Sequence, residues 1–154
     1  MGITNGVVEF DERAAAIGSA VVFETGSSDQ AGSAFDSNSN KVVVVYRDAS
    51  NSNSGTAVVG TVSGTSITFG TPVVYRSGAN TAANNVVFDS NSNKVVVVYT
   101  DYGIGGRGTA RVGTISGTTI SFGTAVVFET GAVSYTSIAF DSNSNKVAIT
   151  YQDL

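Results

Sequence analysis

Apolar and polar positions fall along this chain in short runs, and no stretch sustains a helical period. The run 41–46, Lys-Val-Val-Val-Val-Tyr, is apolar at consecutive positions, which predicts a strand covered on both faces. It recurs at 94–99, and again as Lys-Val-Ala-Ile-Thr-Tyr at 146–151. Each copy is preceded by Phe-Asp-Ser-Asn-Ser-Asn, beginning at Phe35, Phe88 and Phe140, spaced 53 and then 52 residues apart. Each is followed by an acid two residues past the tyrosine, at Asp48, Asp101 and Asp153. A second block, 55–75, recurs without a gap at 108–128, and residues 3–26 align with 108–131 as a third copy.

The repeat predicts four strands. Strand A is short and ends at the Phe of Phe-Asp-Ser. The Asp-Ser-Asn-Ser-Asn turn follows, its Asx side chains suited to bond nearby backbone N–H groups. Strand B is 41–46, strand C about 56–62, and strand D 67–75, reached through a Ser-Gly-Thr turn. Pro72, the one proline, lies in D and donates no ladder bond, which makes D the outer edge.

A four-stranded unit of about 50 residues in tandem is the pattern of a β-propeller. The expected organisation is one all-β repeat domain over 1–154. It holds strands C and D of a split blade at 3–26, full blades at 27–78 and 79–131, and strands A and B of the split blade at 132–154. Three blades are too few to close a ring, since propellers carry four to eight. The expectation is therefore a six-bladed homodimer whose chains complete each other's split blade by strand pairing. The runner-up is a piece of a longer propeller.

With strand A into Phe-Asp-Ser-Asn-Ser-Asn-Lys-Val and with Ser-Gly-Thr-Ser-Ile-Thr-Phe-Gly-Thr-Pro-Val-Val, the chain resembles the sialidase-like, Asp-box-like six-bladed propellers. The Asp and Trp of the Asp-box turn are absent, and Phe69 and Phe122 stand at its aromatic position. What the resemblance implies is the fold and a blade number of six. It implies no activity, because propellers host many.

Composition narrows the chemistry. Lys and Arg number 8 against 12 Asp and Glu, a net charge of −4, which disfavours nucleic acid and an anionic membrane surface as partners. His and Cys are both absent, so Ser-His-Asp and Cys-His catalysis and imidazole or thiolate metal sites are excluded. No signal peptide or membrane-spanning run is visible.

The remaining candidates are weak as catalysts. Asp36, Asp89 and Asp141, with Asp48, Asp101 and Asp153, recur in every repeat, so a structural role in turns and strand ends explains them better than one catalytic centre. Asp-Ser-Asn-Ser-Asn has oxygens at alternate positions like a calcium loop, but the glycine and distant Glu of such a loop are missing, and no metal is expected. Residues 103–108 satisfy GxGxxG without the helix that phosphate binding requires, so no nucleotide cofactor is expected either. A glycoside hydrolase would need a catalytic pair of carboxylates, and none stands out.

The A–B turns are identical, whereas the D–A and B–C loops differ and would emerge on one face of a propeller. Function concentrates on such loops, and Arg47, Arg76, Tyr102, Arg107 and Tyr135 are the side chains there suited to polar or stacking contacts. The expected function is a non-catalytic binding module, with a glycan as the ligand. The alternative is a structural scaffold whose product is the ring itself.

Overall fold

The structure, a computed structural model, describes residues 6–7, 10–11 and 16–154. The chain is all-β, built of antiparallel sheets, and no α-helix occurs among the described residues. Four two-residue strands come first: β1 (Gly6–Val7) pairs with β4 (Val21–Val22), and β2 (Phe10–Asp11) with β3 (Ala16–Ile17). The rest of the expected 3–26 segment, residues 3–5, 8–9 and 12–15, lies outside the described residues.

The first full repeat follows as β5 (Ser28–Asp36), β6 (Lys41–Asp48), β7 (Ser54–Ser63), β8 (Ser66–Phe69) and β9 (Val73–Arg76), in spatial order β5-β6-β7-β8 with β9 also on β7. The second consists of β10 (Thr81–Asp89), β11 (Lys94–Asp101), β12 (Arg107–Ser116), β13 (Thr119–Phe122) and β14 (Val126–Asp141), and β15 (Lys146–Asp153) closes the chain. β14 serves two ladders, its first half pairing with β12 and its second with β15. One sheet is bent until nearly closed, in a barrel-like form.

The two repeats share a register. Val42 faces Gly60 and Asp48 faces Ser54, as Val95 faces Gly113 and Asp101 faces Arg107. The fourth strand differs from the continuous 67–75 read from sequence. It breaks into β8 and β9, with residues 70–72 opposing only 58–59, and the same bulge recurs at 123–125. Pro72 is not the cause, because Ala125 stands at its place in the second repeat. Instead the N–H groups of Gly70 and Gly123 donate to the carbonyls of Val59 and Val112, both at 2.9 Å, and hold the extra residue out of the ladder.

The leading strands also differ from the gapless alignment. That alignment sets Thr4 opposite Val22, following Thr109 and Val127, whereas Gly6 is found there. The other two hairpins close through Gly64 and Gly117, with φ of +58° and +60°, where the leading copy has Glu12 in sequence. A residue with a Cβ resists that conformation.

Valine-rich strands are stabilised here by stacking sheet on sheet. Val43, Val45, Ala57, Val59 and Tyr75 of the first repeat form one core with Val86, Val95, Val97, Tyr99 and Ile120 of the second. The opposite face of the first repeat, with Val44, Tyr46 and Val58, packs on Phe23 from the segment after β4, together with Val42 and Phe69. β6 is thus covered on both sides, and each fully buried valine contributes about 1.5–3 kcal/mol. Gly55 and Gly108 lie under the rings of Tyr75 and Phe128, where a Cβ would collide. β5, β10 and the second half of β14 lie next to one another.

Candidate functional site

The ladders β5–β6, β10–β11 and β14–β15 break at one repeated place. The pairing slips between Asp29 and Gly32 in β5, between Ala82 and Asn85 in β10, and between Ser134 and Ser137 in β14. At each slip one residue takes a left-handed backbone: Gln30 at φ +51°, Ala83 at +50° and Tyr135 at +49°. For residues with a Cβ this conformation costs about 1–2 kcal/mol each. A bulge re-aims its side chain away from the regular alternation, and these three residues converge on one cleft.

The cleft holds about 330 Å³ and lies where β5, β10 and β14 come together. Tyr102 and Tyr135 supply aromatic surface, both exposed, Tyr135 by 81%. Ala82 and Ala83 add methyl groups, and Gln30, Thr100 and Ser134 add polar ones. The Thr100 hydroxyl donates to the Val133 carbonyl at 3.2 Å, and Ser134 Oγ donates to Gln152 Oε1 at 2.9 Å. Gln30 Oε1 accepts the backbone N–H of Ala83 at 2.6 Å, and Thr136 Oγ1 donates to the Ala83 carbonyl at 2.5 Å. Tyr102 opens a 3₁₀ turn, Tyr102–Ile104, capped by Asp101, whose Oδ1 accepts the Gly103 N–H at 3.0 Å.

The five residues singled out in the sequence divide into two groups. Tyr102 and Tyr135 line the cleft; the three arginines do not. Arg47 is held by Asp29 through Nε and Nη2 and reaches Asn80 Oδ1 at 3.4 Å. Arg76 donates through Nε to Asp101 Oδ2 at 2.7 Å and through Nη1 to the Ser77 carbonyl at 2.7 Å, joining one repeat to the next. The hydrogen bond to the carboxylate raises each guanidinium above its ordinary range. Arg107 starts β12, exposed, opposite Ala132.

The recurring acids sit in the framework. Asp36 accepts the N–H groups of Asn38 and Ser39 at 2.8 and 3.1 Å and the Ser39 hydroxyl at 2.5 Å. Asp89 and Asp141 repeat this with Asn91 and Ser92, and with Asn143 and Ser144. The serine hydroxyl is the main cause holding both of these carboxyls below their usual value. Asp48 accepts Ser50 Oγ at 2.6 Å and the Asn51 N–H at 3.0 Å, and Asp153 pairs with Val133 at the end of β15. Residues 103–108 lead into the strand β12. Among the described residues, no group of three or more acids could hold a metal ion.

The lining contains no carboxylate and no cation. Its chemistry is that of recognition: aromatic faces for an apolar ring surface, and amide and hydroxyl groups for polar substituents. Gln30, Ala83 and Ser134 were not legible as site residues, because a bulge has no residue-type signature when its three copies are Gln, Ala and Tyr. No family model matches the chain, and neither any curated protein nor any solved structure shows significant similarity to it.

Proposed function

We propose that the chain is a non-catalytic β-propeller binding module that takes a glycan between Tyr102 and Tyr135. The observation that carries this reading is the cleft itself, where two exposed tyrosines stand with polar groups and methyls and the lining holds no carboxylate. Pyranose rings present an apolar face and a fringe of hydroxyls, which such a surface matches. The four-stranded repeats stacked face to face, with β5, β10 and β14 side by side at the centre, are what propeller blades would supply.

In this reading two copies form a ring of six blades. Among the described residues, β15 pairs only with β14, so one of its edges is open, and the leading β1–β4 pair is hydrogen-bonded to neither full repeat. An open edge is a template for a strand from another chain. A C strand placed on β15 in the register of Val98 with Ala110 sets Val7 of the second copy opposite Thr150. Copies of the cleft around the ring would add avidity.

The test is a glycan array followed by calorimetry on the hits. Wild-type protein is expected to bind, and Tyr135→Ala to lose binding while its melting curve is unchanged, as an exposed side chain permits. An array without signal above background would leave the ring as a scaffold without a glycan ligand.

A further inference from the structure

The two successive junctions between innermost strands differ by one side chain. Between β5 and β10, the Gln30 carboxamide oxygen accepts the Ala83 N–H at 2.6 Å. One junction later, Tyr135 takes the place of Ala83 and Ala83 takes the place of Gln30. A methyl group has no acceptor to offer the Tyr135 amide. The cleft reaches this second junction, where Ala83, Tyr135 and Tyr102 line it, with Gln30 of the first junction also in its wall.

We infer that the cleft selects an acetamido sugar, whose amide carbonyl accepts the Tyr135 N–H as the Gln30 carboxamide accepts that of Ala83. This rests on the glycan reading and specifies its ligand. A carboxamide oxygen and an N-acetyl oxygen are the same acceptor chemically. The N-acetyl group also carries a methyl, which Ala82 and Ala83 are placed to cover. The pyranose ring then meets Tyr102. An unmodified neutral sugar offers the cleft hydroxyls in place of the amide and loses both the planar acceptor and the methyl contact.

The structure also supplies the control. Gln30 already occupies the left-handed conformation at φ +51°, so a glutamine is compatible with the same backbone at 83, where φ is +50°. Ala83→Gln is expected to plug the cleft from within.

The experiment is calorimetry of the full chain with N-acetylglucosamine oligosaccharides and with the matching glucose oligosaccharides, together with amide chemical shifts of Tyr135. Expected are binding of the acetylated series roughly tenfold tighter, about the worth of one well-made hydrogen bond, and a Tyr135 amide shift on saturation. Ala83→Gln should abolish both with unchanged melting. Equal binding of the two series, or a glycan hit that Ala83→Gln leaves intact, overturns the acetamido assignment while the glycan reading stands. Binding of neither series overturns the assignment, and an array blank for all glycans removes the broader reading as well.

Discussion

Val59 and Val112 hold the same position in β7 and β12, yet Val59 is fully buried and Val112 is 49% exposed. Val59 packs in the core shared with the second repeat, whereas Val112 belongs to neither buried cluster. Phe35 mirrors it at the other end, 55% exposed where its counterpart Phe88 is packed against the core. If two copies complete the ring, the partner's split-blade strands cover both surfaces. Light scattering should then give twice 15.7 kDa. Val112→Asp should give a folded protein of half that mass, with its strand signal in circular dichroism retained. Val59→Asp should unfold it, since an unpaired charge would enter the core. A Val112→Asp protein that stays dimeric would place the interface elsewhere.

Arg76 and Asp101 predict a contrast between two ion pairs. Arg76 bridges from β9 to the end of β11, and the Asp101 side chain is nearly buried. Losing a charge-assisted bond that leaves a buried carboxylate short of a partner costs about 1.5–3 kcal/mol. Arg76→Ala should therefore lower the midpoint of urea unfolding clearly. Arg47→Ala breaks a pair whose aspartate is about half exposed, and a loss within about 1 kcal/mol is expected. Equal losses from the two variants would contradict the staple role given to Arg76.

How legible was this molecule? The repeat, the all-β antiparallel reading and the both-face burial of 41–46 follow from pattern, because a side chain's period and its burial are coupled in a sheet. The Asx turns were legible for the same reason: Asp and Ser can only bond locally there. Arg47 and Arg76 looked free in the sequence because their partners lie 18 and 25 residues away: the β5–β6 register brings Asp29 to Arg47, and the packing of one repeat on the next brings Asp101 to Arg76. The left-handed bulges were invisible, since neither Ala nor Tyr favours that conformation and the surrounding ladders impose it. Half of the cleft was therefore read from its exposed tyrosines, and the half that gives it shape was not.

The tyrosines predict an alkaline limit. Burial pushes Tyr46, Tyr75 and Tyr99 above their ordinary value of 10.0, and Glu24 beside Tyr46 adds to its shift. A raised value means that the native state keeps these protons when the unfolded chain has released them. The stability they contribute is fully present below pH 10.0 and is lost as pH rises above it, because the unfolded state then binds fewer protons. Denaturant midpoints should be nearly level from about pH 6 to 9, where no His or Cys titrates, and fall above 10. On the acid side, Glu129, held low by the Gly131 N–H and then by Tyr151, should cooperate with Asp89 and Asp141 in a loss as pH falls below the carboxylate range. A steep decline between pH 7 and 9 would mean that these groups do not govern the profile.

Ala83 tests whether the bulge is strained. Its φ of +50° costs about 1–2 kcal/mol that glycine avoids. Glycine in turn adds freedom to the unfolded chain worth about 0.4–1 kcal/mol. Ala83→Gly should therefore be neutral to stabilising, by up to about 1 kcal/mol, and raise the melting temperature by about 2 °C in a chain of this size. Most glycines placed inside a strand act in the opposite direction, so the sign alone is informative. Gln30→Gly is the matched control: it relieves the same backbone but removes the acceptor of the Ala83 N–H, and that loss should cancel the gain. If Ala83→Gly melts several degrees lower, the left-handed turn in β10 is not where the strain lies.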